Sequence, residues 1–582
     1  MARARTRRHA GAGALALAIV LLAAGPAAAA APASWTAKAD AIAAPWPGLQ
    51  NADGSFRDYV ISRDPTGQRD DYGDAILGYG LLATAARTGN ADLAGAGLRA
   101  LEHSLDHLAR SPSTQVFHEL ATVSGYNLAR ARFPDHPVFA RARSKWEDVL
   151  RRIATYRVGK REVTNKSIVE SVVVLELVRT GLTSEEPGAV LHDPAAAVAV
   201  VKRFLASELP AFARPYERDG RALLGDLPLS PPAYHGLSVG MLARALALLG
   251  DDAPAAGRAL LDRAAQASLA AVAPDGDVAY HGRSQLQAWT LTLTGYGAER
   301  AGLPALAELT LRRLVDGYQD GPEGFLTTPA LGDGIDAALP GLDEYVAGAS
   351  YAGLTLASLE WAIEAAGPEP AASAGAPSGA AFLGRGAGAW AVSRSGDVWF
   401  AVRGVRSSVR DLRYDFGLVA VKARGPDGAW GDVAPLRPRT VARSDSAGPV
   451  LRRGRTVGWP EGTLAKGRGG AIVARGGFRT GSGRWLRRGV TFTFAPASCG
   501  VRLSFPVAAG DRFEYSPFFA GTPKRRSRSI ADATQSVTLS RPASSSLERG
   551  YSSGEHARLN RIRLRFPRAT HPGSISITTC PR

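Results

Sequence analysis

The spacing of apolar residues changes character once along the chain. From Ser34 to about Gly367 they recur at intervals of three and four, as on helices; beyond residue 380 they alternate with polar residues, as on half-buried antiparallel strands. Two kinds of helix are predicted. Over 91–110, Leu98, Leu101, Leu105 and Leu108 share a face while His103, Asp106 and Arg110 fall elsewhere, the pattern of an outer helix. Residues 168–178 and 237–249 are apolar nearly all round, as helices buried on every side are. Glycine turns at Gly89, Gly181, Gly250 and Gly302 close helices and lead directly into the next ones.

About twelve helices are expected, six of them inner, opening near Tyr72, Val116, Asn165, Tyr234, Ser284 and Glu344. Inner and outer helices alternating in six hairpins describe an (α/α) toroid over residues 32–366. Residues 367–380 (GPEPAASAGAPSGA) have no periodicity and mark a linker. From 381 to 582 the runs VTFTF (490–494), VRLSF (501–505), SVTL (536–539) and RIRLRF (561–566) alternate apolar with polar residues, which predicts an antiparallel β-sandwich.

Residues 1–31 read as a signal peptide: Arg3, Arg5, Arg7 and Arg8, an apolar run over 14–24, then Pro26 and an alanine tract. No later segment is long and apolar enough to span a bilayer. The expectation is a secreted bacterial protein, monomeric and without a transmembrane segment; the Arg7-Arg8 pair leaves the export route open. Cys499 and Cys580 are the only cysteines, and in an oxidising compartment they are expected to form one disulfide. Charge is uneven. After residue 380 there are 35 Lys and Arg against 12 Asp and Glu, a net of +23, while the whole chain carries +17. A basic domain attracts polyanions, and composition alone does not choose among uronate polysaccharides, teichoic acids and DNA.

Polar and aromatic residues of the helical half gather where the inner helices open. They are Asp70, Asp71 and Tyr72; Phe117, His118 and Glu119; Asn165, Lys166 and Ser167; Tyr234 and His235; Tyr280, His281, Arg283, Ser284 and Gln285; and Asp343, Glu344, Tyr345 and Tyr351. In a toroid the inner helices run parallel, so these openings converge on one mouth, where free N–H groups favour carboxylate binding. Plainer roles exist for most of them. Asn165 and Ser167 are ordinary N-cap types, His235 suits a satisfied core histidine, and Tyr72, Tyr234 and Tyr345 suit rim packing. Arg283 and Gln285 are harder to dismiss, because polar groups entering an apolar helix are costly without a partner.

The succession of signal peptide, incomplete helical toroid, short linker and antiparallel sandwich resembles the heparinase II/III-like, chondroitin AC, hyaluronate and alginate lyases. The resemblance implies β-elimination on an acidic, uronate-containing polysaccharide. It implies Asn165 for carboxylate neutralisation, His235 as base or base-orienting group, Tyr280 as acid or base, and Arg283 for carboxylate binding. Tyr72, Glu119, Tyr234, His281, Gln285, Tyr345 and Tyr351 line the substrate, with Tyr414 replacing a residue that relatives supply from the sandwich. Asn165 is not followed by the His or Trp seen in several relatives. No zinc spacing and no phosphate loop is present, so no cofactor is expected; structural calcium in the sandwich is left open, and nucleic acid is not an expected partner. Two alternatives stand beside the lyase: a glycoside hydrolase pairing Asp70 or Asp71 with Glu119 or Asp343, and a non-catalytic glycan-binding wall protein.

Overall fold

The computed structural model describes residues 31–56, 72–110, 115–154, 158, 164–226, 229, 231–318, 348–366, 378–405, 411–438, 446–551, 553 and 558–582. Asp70, Asp71, Asp343, Glu344, Tyr345 and residues 1–30 of the expected signal peptide lie outside them. In chain order the helices are α1 (Ala33–Ala43), α2 (Trp46–Leu49), α3 (Gly73–Thr88), α4 (Ala91–Arg110), α5 (Val116–Arg132), α6 (Pro137–Leu150) and α7 (Thr164–Arg179). They continue as α8 (Pro194–Arg203), α9 (Leu209–Ala213), α10 (Pro232–Leu249), α11 (Ala255–Ala271), α12 (Ala288–Arg300), α13 (Pro304–Gly317) and α14 (Gly348–Ala365).

Six of these form a closed inner ring, α3 against α5, α5 against α7, α7 against α10, α10 against α12, α12 against α14, and α14 back onto α3. They are the helices predicted to be inner, and the glycines just beyond α3, α7 and α12 take left-handed φ, +74° at Gly89 and +69° at Gly181 and Gly302. Outer helices such as α4, one-sided as its sequence requires, return the chain between them. The ring is complete, where an incomplete toroid was expected, because α14 closes tightly on α3. A Cβ on Gly353 would lie 2.6 Å from Leu77 Cα, so only glycine permits this approach. Across the same seam Glu360 accepts from Thr84 Oγ1 (2.8 Å) and Arg87 Nε (2.9 Å), and Trp361 Nε1 donates to the Tyr79 hydroxyl (2.9 Å).

The C-terminal domain is a sandwich. Strands β1 (Gly379–Leu383), β2 (Trp390–Ser395), β3 (Val398–Arg403), β4 (Gly417–Arg424) and β5 (Trp430–Ala434) form an antiparallel sheet in sequence order, packed on a second sheet of 13 strands. Phe400 and Val402 meet Phe492, Phe494 and Leu503 of the second sheet in the sandwich core. β3 departs from the half-buried pattern: all its residues are buried. Its other face, Trp399 and Ala401, packs with Trp390 and Val419 against Leu223, Ala271, Tyr280 and Leu286 of the helical domain. The first sheet is therefore a middle layer. Cys499, in the turn before strand 500–507, is disulfide-bonded to Cys580 on the final strand.

A buried ion cluster fixes this junction. Lys422 of β4 donates from Nζ to Asp275 Oδ2 (2.6 Å) and Asp277 Oδ2 (2.7 Å), both in the α11–α12 loop, and pairs with Asp432 of β5 (2.8 Å). The carboxylate oxygens lie within 4.8 Å of one another and enclose the ammonium where a cation would sit. Arg313 of α13 also binds Asp277, at 2.8 Å, but stands 4.0 Å from Asp275. The two acids therefore diverge. Burial and the neighbouring Asp277 push Asp275 up to about 6. Asp277, although buried, faces both Lys422 and Arg313 and is held down at about 2.

Two outcomes follow from this packing. Lys422→Met leaves the buried Asp277 and the part-buried Asp275 and Asp432 without their central cation and is expected to cost roughly 3–5 kcal/mol of stability in denaturant titrations. Asp275 binds its proton more tightly folded than unfolded, so its charge opposes folding progressively as pH rises from the ordinary 3.8 through about 6. The stability difference between Asp275→Asn and wild type is expected to move in the variant's favour across that window and level off above it, as read by melting temperature.

Candidate active site

The N-terminal ends of the inner helices share one mouth, at the end of the ring that meets the sandwich. Side-chain contacts trace its wall from one opening to the next. The Arg283 guanidinium lies 4.5 Å over the Tyr234 ring at the start of α10. Tyr234 packs edge-on to Trp289 of α12 (6.0 Å), and Trp289 packs on Tyr351 of α14 (6.1 Å). Beyond, Tyr72 at the N-cap of α3 packs on Phe117 of α5 (5.5 Å).

Arg283 is the hub of the charged part. It makes a short ion pair with Asp226, which precedes α10, and its backbone N–H donates to the Tyr414 hydroxyl at 2.9 Å. Tyr414 thus reaches the mouth from the sandwich, as a loop between β3 and β4 brings it there. Burial raises the Asp226 carboxyl above the usual carboxylate range, against the opposing pull of Arg283 and Lys166. Burial also pushes the Tyr414 hydroxyl up to about 12, so it is protonated at neutral pH. Asp226 was not recognised in the sequence; its only local signal is the Gly225-Asp226 pair, both at positive φ (78° and 39°).

The loop entering α12 is held in an unusual conformation. Gly282, Ser284 and Leu286 all have positive φ, 79°, 60° and 51°. Side-chain-bearing residues in that region cost of order 1–3 kcal/mol each, and such strain collects at sites of function. Ala279 O accepting from Leu286 N (3.0 Å) and Arg413 O accepting from Gly282 N (3.1 Å) hold the loop in place.

Several buried polar atoms around this loop have no hydrogen-bond partner among the described residues: Asn165 Oδ1, Gln285 Nε2, both amide atoms of Gln287, and Trp289 Nε1. Each such group costs roughly 1–3 kcal/mol when left unsatisfied. Clustered at the leading ends of α7 and α12, they supply donors and acceptors suited to a hydroxyl-rich ligand. Glu119 is also fully buried at the start of α5.

Two expected site residues point elsewhere. His235 Nδ1 accepts from Leu224 N (3.1 Å), and Nε2 lies 3.2 Å from both Ala264 O and Ser268 Oγ of the outer helix α11. Burial holds it down at about 4, a neutral histidine tying α10 to α11. Tyr280 donates its hydroxyl to Ala271 O (2.7 Å) and packs edge-on to Trp390 and Trp399, sealing the domain junction. Beside it His281, fully buried, packs edge-on to Trp390 at 4.9 Å. The structure therefore joins Arg283 to Tyr234, Tyr414 and Asp226, and does not join His235 or Tyr280 to them.

No protein-family model matches the chain, and no curated protein matches it. Solved structures similar to it include a glycosyl hydrolase family 88 protein from Bacteroides vulgatus, at 13% identity over 51% of this chain and 93% of that one, TM-score 0.34. A protein described as a polysaccharide lyase is 13% identical over 57% of this chain and 97% of its own, TM-score 0.35. A type II terpene cyclase from Scytonema is 14% identical over 57% and 98%, TM-score 0.34.

The unsatisfied amides give a test in which stability and function separate. Gln287→Met removes two buried unpaired atoms at similar volume and is expected to raise the melting temperature or leave it unchanged, while lowering turnover at least tenfold. A loss of stability would place Gln287 among ordinary structural residues.

Proposed function

We propose that this chain is a carbohydrate-degrading enzyme, and specifically a lyase that cleaves an acidic, uronate-containing polysaccharide by β-elimination in the toroid mouth. One observation carries the reading: the Arg283 guanidinium lies 4.5 Å over a tyrosine ring, and the Arg283 backbone N–H is bonded to a second, protonated tyrosine. β-Elimination removes the proton beside the uronate carboxylate and expels the 4-linked oxygen, leaving a C4=C5 double bond. The carboxylate must be neutralised as charge develops on it, and Arg283 and the Asn165 amide are the donors for that.

Tyr234, with the Arg283 guanidinium 4.5 Å over its ring, takes the base role. Tyr414, protonated and anchored by the Arg283 N–H, donates to the departing oxygen. His235 and Tyr280 become structural. Asp226 is a positioning residue that holds Arg283 in place. No helix among the described residues is long and apolar enough to cross a membrane, and a secreted location suits a polymeric substrate.

A hydrolase is the second reading, favoured by the raised Asp226 carboxyl, the condition of a proton donor to a glycosidic oxygen. Incubation with alginate, polygalacturonate and hyaluronate separates the two. A lyase yields a rise in ultraviolet absorbance with each chain cut; a hydrolase yields new reducing ends with none. Arg283→Ala, Asn165→Ala and Tyr234→Phe are each expected to lower turnover by roughly 10² to 10³. His235→Gln is expected to lower the melting temperature and leave the pH–rate profile unmoved. Full activity in Arg283→Ala would remove the proposal.

A further inference from the structure

The outward face of the second sheet carries an aromatic and cationic ladder that the toroid mouth does not use. Three adjacent strands, 456–466, 472–479 and 485–497, place Trp459 opposite Arg479 and Arg479 opposite Trp485. Alternation puts all three on the side away from the sandwich core, since Phe478 and Leu464 are buried inside it. The Arg479 guanidinium lies 4.3 Å over the Trp485 ring and that of Arg488 lies 5.7 Å from it. Arg475 and Arg488 are exposed, and Arg479 retains 40% of its side-chain surface. The far end of the first strand meets the helical domain, where Leu464 O accepts from Arg218 (3.1 Å), so the ladder stands at the free end of the sheet.

We propose that this ladder is a second binding surface, for the extended chain of a carboxylated polysaccharide, distinct from the mouth. Two part-buried indoles separated by two interstrand spacings, roughly 10 Å, offer the ring surface that Arg479 leaves uncovered to the C–H faces of successive sugar rings. The guanidinium between them matches a carboxylate in the bidentate geometry that arginine favours. Glu461, 3.6 Å from Arg479, accepts from sugar hydroxyls and opposes the denser charge of a phosphate backbone, which favours a uronate chain over nucleic acid. The net charge of +23 after residue 380 draws such a chain to this domain. The surface holds polymer whether or not the mouth is a lyase site.

The test is a tryptophan-fluorescence titration of the full chain with polygalacturonate, alginate, neutral dextran and single-stranded poly-dT. Saturable quenching by one of the two uronate polymers is expected, weakening as salt rises and absent with dextran. Trp485→Ala, and separately Arg479→Gln combined with Arg488→Gln, are expected to weaken it at least tenfold with unchanged melting temperature. Arg283→Ala is expected to retain it, which separates this surface from the mouth. Equal binding by the ladder variants, equal binding of dextran, poly-dT binding as tight as that of the uronates, or no binding of either uronate polymer would overturn the proposal. Turnover without ladder binding would fail this proposal alone, and ladder binding without turnover would fail the lyase reading alone.

Discussion

The closure of α14 onto α3 is the contact on which the rest of the helical domain depends. A ring of six helices has no free end to fray only if its last member meets its first, and here the meeting is backbone against backbone at Gly353 and Leu77. Glu360, shared by Thr84 and Arg87, satisfies the polar groups that such an approach would otherwise strand. Once closed, the ring aims six helix N-termini at one place. Residues far apart in the chain, such as Tyr72 and Phe117 or Tyr234 and Tyr351, become parts of one wall.

The sandwich completes that wall. The central strands of its first sheet are covered on both faces, one in the sandwich core and one against the toroid, and the Lys422 cluster ties the two domains at that layer. Tyr414 then arrives at the Arg283 loop, and the ring of Tyr414 closes over Gly282, where a Cβ would lie 3.0 Å from it. Strain in that loop is sustained because both domains hold it. The basic charge of the sandwich is spread differently: several arginines, such as Arg487 on Asp511 (2.6 Å), are spent internally, while the ladder around Trp485 keeps its cations at the surface.

The architecture was legible in the sequence because its signals are local. Helical period, a glycine just past a helix and a two-residue alternation are all properties of short windows, and the inner helices begin within a few residues of their expected openings. The site was legible only in part. Arg283 stood out as a charge in an apolar setting, whereas His235 looked equally like a base or a core residue. Its commitment is set by Leu224 and Ala264, 11 and 29 residues away. The place of Tyr280 at the domain junction was not legible because nothing nearby announces that two tryptophans more than a hundred residues later will cover it. Asp226 carries no motif and gains its role from the ion pair with Arg283. β3 did carry a signal, since the run Val398-Trp399-Phe400-Ala401-Val402 has no polar member, as a strand covered on both faces requires.

On the proposed reading, the mouth is where a substrate carboxylate and its hydroxyls meet the Tyr234–Tyr414 pair. The most direct measurement is a crystal structure of the Tyr234→Phe variant soaked with a uronate tetrasaccharide. The expected result is an oligosaccharide in the toroid mouth with one carboxylate on Arg283 and Asn165, its hydroxyls on Gln285 and Gln287. An oligosaccharide bound with its carboxylates away from Arg283, or a mouth that excludes it while it binds elsewhere, would contradict the account.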